Sequence, residues 1–152
     1  MSAIVLACAF IAAAQNGNSD RCVVSTLELT GKKKLDELRD APEKQLGTFE
    51  TVIAEEELTT RVYRLPKTKL FVIASVWYTD ESIASKNGAE SVSLELLISK
   101  SRRRNPLNAR HFADSEVPYK GFEVARVTTM AKSAGKTFFV VMECRNQKRR
   151  PL

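Results

Sequence analysis

LFVIASVWY, Leu70 to Tyr78, and SVSLELLIS, Ser91 to Ser99, decide the class of fold. In the first, Leu70, Val72, Ala74, Val76 and Tyr78 share one phase of a two-residue period, and Phe71, Ile73 and Trp77 share the other. A strand covered on both faces carries apolar side chains on both phases. In the second, Val92, Leu94, Leu96 and Ile98 alternate with Ser91, Ser93 and Glu95. That alternation suits a strand with one face on a core, and it cannot gather its apolar residues on one side of a helix. Asn87-Gly88, between the two stretches, is a favoured hairpin turn pair.

Working outward, the two-residue period recurs along the chain. Cys22 to Leu29 (CVVSTLEL) is a short β-branched run, stopped by Gly31. Lys32 to Leu46 is highly charged; Leu35 and Leu38 fall at helical spacing and Pro42 limits any helix to a turn or two, so a surface connection with one short helix is expected. From Gly47 the period is two again, through Phe49, Thr51 and Ile53. Thr59 to Leu65 alternates weakly, and Pro66-Lys67-Thr68-Lys69 supplies a turn. Lys100 to Pro118, with Pro106 and Pro118, reads as a long loop. Phe122 to Met130 is strand-like, with a phase shift that predicts a bulge near Ala125-Arg126. Ala134-Gly135-Lys136 turns the chain into Thr137 to Arg145, where Phe138, Val140, Met142 and Cys144 share a face. Seven candidate strands separated by turn signals predict an all-β chain, an antiparallel sandwich or partly closed barrel.

The N-terminal residues set the expected compartment. Met1 to Ala14 contain no charged side chain and end in Ala12-Ala13-Ala14, ahead of the polar stretch Gln15 to Asp20. The apolar run is too short to span a bilayer, which takes about 20 residues, and fits a secretory signal with a small-residue cleavage site. It lacks the basic head of such a signal, so a start upstream of Met1 is expected. Two competing readings are a core strand or helix, and a lipobox at Val5-Leu6-Ala7-Cys8 that would anchor the protein through a lipid on Cys8. The expected organisation is a signal at 1–14, a polar linker at 15–21, a single β domain at 22–145 and a basic tail at 146–152. Secretion, or export to the periplasm, follows from the signal. In such an oxidising compartment Cys22 and Cys144 are expected to form a disulfide, because antiparallel neighbours bring the start of the first strand beside the end of the last. Neither zinc nor any other cofactor is expected: the two cysteines lack CxxC spacing and the chain has 1 histidine.

Charge is unevenly distributed. Lys100, Arg102, Arg103, Arg104 and Arg110, with Arg145, Lys148, Arg149 and Arg150, hold more positive charge than the whole chain, whose net charge is +6. The remainder is therefore net acidic. The guanidinium fork suits carboxylates and phosphates, so Arg102, Arg103, Arg104 and Arg110 are the candidate anion-binding residues. The partners this chemistry admits are an anionic lipid, an acidic glycan or an acidic protein. Nucleic acid is disfavoured, because no helix-turn-helix, zinc-finger or RNP-type aromatic motif accompanies the cations. A solvated loop and tail is the plain alternative.

Catalytic signatures are weak. Any Ser-His-Asp device must use His111, whose neighbours Asp114, Ser115 and Glu116 lack an oxyanion-hole signature. The chain has no G-x-S-x-G, H-E-x-x-H or P-loop motif. Glu55-Glu56-Glu57 and Asp80-Glu81 depart from the calcium-loop pattern, and Trp77, Tyr63 and Tyr78 suit a core better than a glycan platform. The expectation is an exported, non-catalytic binding or structural module. The alternatives are a small hydrolase built on His111 and a subunit of a larger envelope assembly with an exposed apolar strand face.

Overall fold

The computed structural model describes residues 19–30, 43–52, 58–80, 90–118 and 123–147. The expected signal, its alternatives at Cys8, the Asn87-Gly88 turn and the Glu55–Glu57 run lie outside the described residues. Among these residues there are eight strands: β1 (Ser19–Thr30), β2 (Glu43–Val52), β3 (Thr59–Arg64), β4 (Phe71–Asp80), β5 (Glu90–Ser99), β6 (His111–Pro118), β7 (Val124–Ser133) and β8 (Lys136–Gln147). They form two antiparallel four-stranded sheets, β2-β1-β8-β7 and β3-β4-β5-β6. The fold is an all-β sandwich, not a closed barrel.

The core lies between the sheets and is built by the alternation that marks the strands. Cys22, Val24, Phe138, Val140, Met142 and Cys144 point inward from β1 and β8. Val72, Ala74, Val76, Val92, Leu94, Leu96 and Ile98 face them from β4 and β5. Cys22 and Cys144 are direct cross-strand partners in the β1–β8 ladder and are joined by a disulfide with S–S 2.04 Å. The turn between β7 and β8 needs left-handed backbone at two successive residues, Ala134 (φ 51°) and Gly135 (φ 74°). Glycine meets that demand without a Cβ clash.

Four local expectations are corrected. Lys100 to Pro118 is not loop throughout: its second half is β6, paired with β5 from Ser91↔Pro118 to Ile98↔His111. Its alternation was hidden because an edge strand tolerates polar residues on both phases, here His111 and Ser115 inward against Asp114 and Glu116 outward. No bulge occurs at Ala125-Arg126; the β7–β8 register runs unbroken from Val124↔Arg145 to Ser133↔Lys136. Ala125, Val127, Thr129 and Ala131 are the inward row, and Val124 is exposed, so the phase error came from placing the bulky valine inside and the alanine outside. The irregularity sits instead between β1 and β2, where Val24↔Gly47 steps to Ser25↔Gln45. The Tyr63 ring covers Gly47 there, and a Cβ at that position would come within 3.0 Å of Tyr63 Cζ. Of the expected charged connection, Glu43 to Leu46 begins β2, and its short helix falls outside the described residues. Finally, β1 starts at Ser19, inside the expected linker, and β8 continues to Gln147, inside the expected tail.

Candidate anion-binding site

One end of the sandwich gathers cations from two connections, β3–β4 and β5–β6. The β3–β4 hairpin turns at Pro66–Lys69, where Lys67 takes a left-handed backbone (φ 61°). Thr68 fixes that turn: its Oγ1 donates to Leu65 O at 2.8 Å and accepts from Leu70 N at 3.0 Å. Lys67 and Lys69 are thereby presented outward beside Arg64. The β5–β6 connection begins at Lys100 and closes at Arg110, whose backbone N–H donates to Ile98 O at 2.8 Å. Arg64, Lys67, Lys69, Lys100 and Arg110 line a concavity of about 510 Å³, bounded on one side by Ser133 and Ala134. None of its lining residues is a carboxylate. Glu28 stands nearby and accepts from Lys136 Nζ at 2.7 Å, with Lys67 Nζ 3.6 Å from its other oxygen. The Lys136 hydrogen bond holds the Glu28 carboxyl below its ordinary range. Lys67 is thus partly countered, whereas no ion pair is formed by Arg64, Lys69, Lys100 or Arg110 among the described residues.

The four candidate arginines are divided. Arg110 lies in this concavity. Arg104 does not: it folds back over the outer face of the second sheet and forms a two-pronged bond with Glu95, Nε to Oε1 at 2.7 Å and Nη2 to Oε2 at 2.8 Å. Its guanidinium also sits 5.7 Å from the centre of the Trp77 ring. Arg102 lies over Phe71 at 5.6 Å, and Arg103 is exposed. Glu95 is buried, so its charge needs a partner held in place; Arg104 supplies one and pins the connection against the sheet. Ser99 Oγ and Ser101 Oγ accept from the backbone N–H groups of Ser101 and Arg103, each at 3.1 Å. Asn105 Oδ1 accepts from Leu107 N at 3.1 Å and caps the short 3-10 turn Pro106–Asn108.

Sequence reasoning missed Arg64, Lys67 and Lys69. The signal was present: Thr59 to Tyr78 holds Arg61, Arg64, Lys67 and Lys69 and no acid. Pro66–Lys69 carries two cations as well as its turn residues.

The other candidate features are separated by the fold. His111 and Ser115 lie on the inward phase of β6, Asp114 and Glu116 on the opposite phase, and Ser91 Oγ donates to Glu116 at 2.7 Å. Trp77 carries Arg104 across its ring, and Tyr63 covers Gly47. Tyr78 reaches across the far end of the sandwich: its OH donates to Asp20 Oδ2 at 2.5 Å and is 2.6 Å from Thr51 Oγ1. The phenol proton is committed to Asp20, so the Thr51 hydroxyl donates to the phenol oxygen. Burial raises the Asp20 carboxyl above its ordinary value, and the Tyr78 bond opposes that rise more weakly. Among the described residues no group of three or more His, Cys, Asp or Glu could hold a metal ion, and no helix is long and apolar enough to cross a membrane. No protein-family model, curated protein or solved structure matches this chain.

Proposed function

We propose that the protein is an exported, non-catalytic β-sandwich module that binds an anionic partner at its basic end. The observation that carries this reading is the concavity formed by Arg64, Lys67, Lys69, Lys100 and Arg110, whose lining contains no carboxylate. Like charges converge on a shared depression at an electrostatic cost, and an anion bound there relieves it. Two guanidinium forks and three ammonium groups offer both bidentate and point-charge contacts to oxyanions. Two connections held by rigid strands place these groups, an arrangement suited to binding. Export draws support from the Cys22–Cys144 disulfide and from the charge-free residues 1–14.

Retention on immobilised heparin tests the anion site. Wild-type protein is expected to bind at low ionic strength and elute as salt rises. Lys100→Glu combined with Arg110→Glu is expected to abolish retention while leaving the thermal midpoint within a few degrees. Equal retention of the double variant and the wild type refutes the assignment.

A further inference from the structure

We infer that the anionic partner is a membrane surface, and that Leu107 enters it. This rests on the anion-binding reading above and adds an apolar contact to it. Leu107 is 94% exposed, whereas the next most exposed large apolar residue among the described ones, Phe112, is 49% exposed. A single surface leucine usually needs no explanation, but this one has a particular setting. It occupies the middle of the Pro106–Asn108 turn, three residues from Arg110. An extended chain covers at most about 3.6 Å per residue, so its backbone lies within about 11 Å of Arg110. That is close to the screening length of about 8–10 Å at moderate salt, so the leucine and the cations can engage one surface together.

The leucine is also held outward. Asn105 caps its turn, Arg110 N–H ties the far end of the connection to Ile98, and Arg104 clamps the near side to Glu95. A protruding apolar side chain on a fixed turn, with Arg102, Arg103 and Arg110 within five residues of it in sequence, matches the needs of an anionic bilayer interface. There the cations meet lipid phosphates and the apolar side chain leaves water. A soluble polyanion satisfies the cations but offers Leu107 nothing, which is why the observations favour the membrane. The charged residues lining the concavity are all cations, and its apolar residues are Ala134 and the nearly buried Leu70, so the lipid headgroup, rather than a whole lipid molecule, is what it would hold.

Flotation with vesicles of phosphatidylcholine alone, and with about 30% phosphatidylglycerol, tests this. Wild-type protein is expected to float with the anionic vesicles and to remain behind with the neutral ones. Leu107→Ser is expected to weaken vesicle partitioning about tenfold, the lower end for burying one leucine, with heparin retention unchanged. Leu107→Trp is expected to give a blue-shifted emission on anionic vesicles that brominated lipid quenches. Lys100→Glu with Arg110→Glu is expected to lose both vesicle and heparin binding. Heparin retention without vesicle flotation, or flotation indifferent to Leu107→Ser, overturns the membrane inference and leaves the anion site standing. Both activities surviving the charge reversal overturn the anion site itself.

Discussion

Replacing Arg104 with alanine is the sharpest test of how the basic connection is held. The substitution leaves the Glu95 carboxylate on a side chain only 4% exposed, while Arg104 itself is 32% exposed. Removing one member of a fully buried ion pair costs about 3–5 kcal/mol, because the remaining charge loses its partner. Water can enter where a one-third-exposed guanidinium stood, which brings the expected cost to about 2–3 kcal/mol. A domain of this size shifts by about 3 °C per kcal/mol, so the thermal midpoint should fall by about 6–9 °C. Urea unfolding followed by tryptophan fluorescence reads the same change, since Trp77 lies under Arg104. Adding Glu95→Gln to Arg104→Ala removes the unpaired charge and is expected to recover at least half of the loss. If Arg104→Ala costs less than about 0.5 kcal/mol, or the double variant is no more stable than the single one, then Glu95 is not a buried charge that depends on Arg104.

Two further outcomes follow from the core. Replacing Cys22 and Cys144 together by alanine opens a cross-link spanning 122 residues and is expected to cost about 2–4 kcal/mol in guanidinium unfolding; a loss near zero contradicts the stabilising role assigned to it. Asp20→Asn tests the buried acid. Burial lifts the Asp20 carboxyl in the folded state above its unfolded value of about 3.9. As pH rises past the unfolded value, the unfolded chain releases its proton first, and native stability falls until the folded carboxyl has also ionised. Asp20→Asn should therefore be more stable than wild type at pH 7, with the gain fading as pH drops through about 4. Thermal midpoints of both proteins from pH 3 to pH 7 decide the matter, and a difference independent of pH refutes it.

The strands with the most regular sequence were the most legible. β4 and β5 declare themselves because burial on one or both faces forces a periodic choice of side chain. β8 does so through Phe138, Val140, Met142 and Cys144, and the β1–β8 pairing was readable from the cysteines at opposite ends of the chain. β6 was not legible, since an edge strand buries too little to impose apolar residues on it. The phase of β7 was misread because Ala125, though fully buried, carries less hydrophobic signal than the exposed Val124. The candidate site was half legible. Charge density marked out Lys100 and Arg110, but it marked Arg104 equally, and only Glu95 lying beneath distinguishes the arginine that builds the connection from those that face solvent. Arg64, Lys67 and Lys69 are far from Lys100 in sequence, and it is the β4–β5 hairpin that returns the chain to the same end of the sandwich.

The strand order of the first sheet has a consequence for how the molecule can be made. β3, β4, β5 and β6 are consecutive in the chain and adjacent in space, so their sheet can be complete once residue 118 has been synthesised. The other sheet draws β1 and β2 from before that block and β7 and β8 from after it. During N-to-C synthesis, the inward row of β1 can have no cover from β8 until residues 136–147 have been made. β8 comes last in sequence and yet lies inside its sheet, between β1 and β7. Cutting the chain before Lys136 would therefore take out the centre of that sheet and leave β7 separated from β1 and β2, whereas the same cut in a simple meander would trim only an edge.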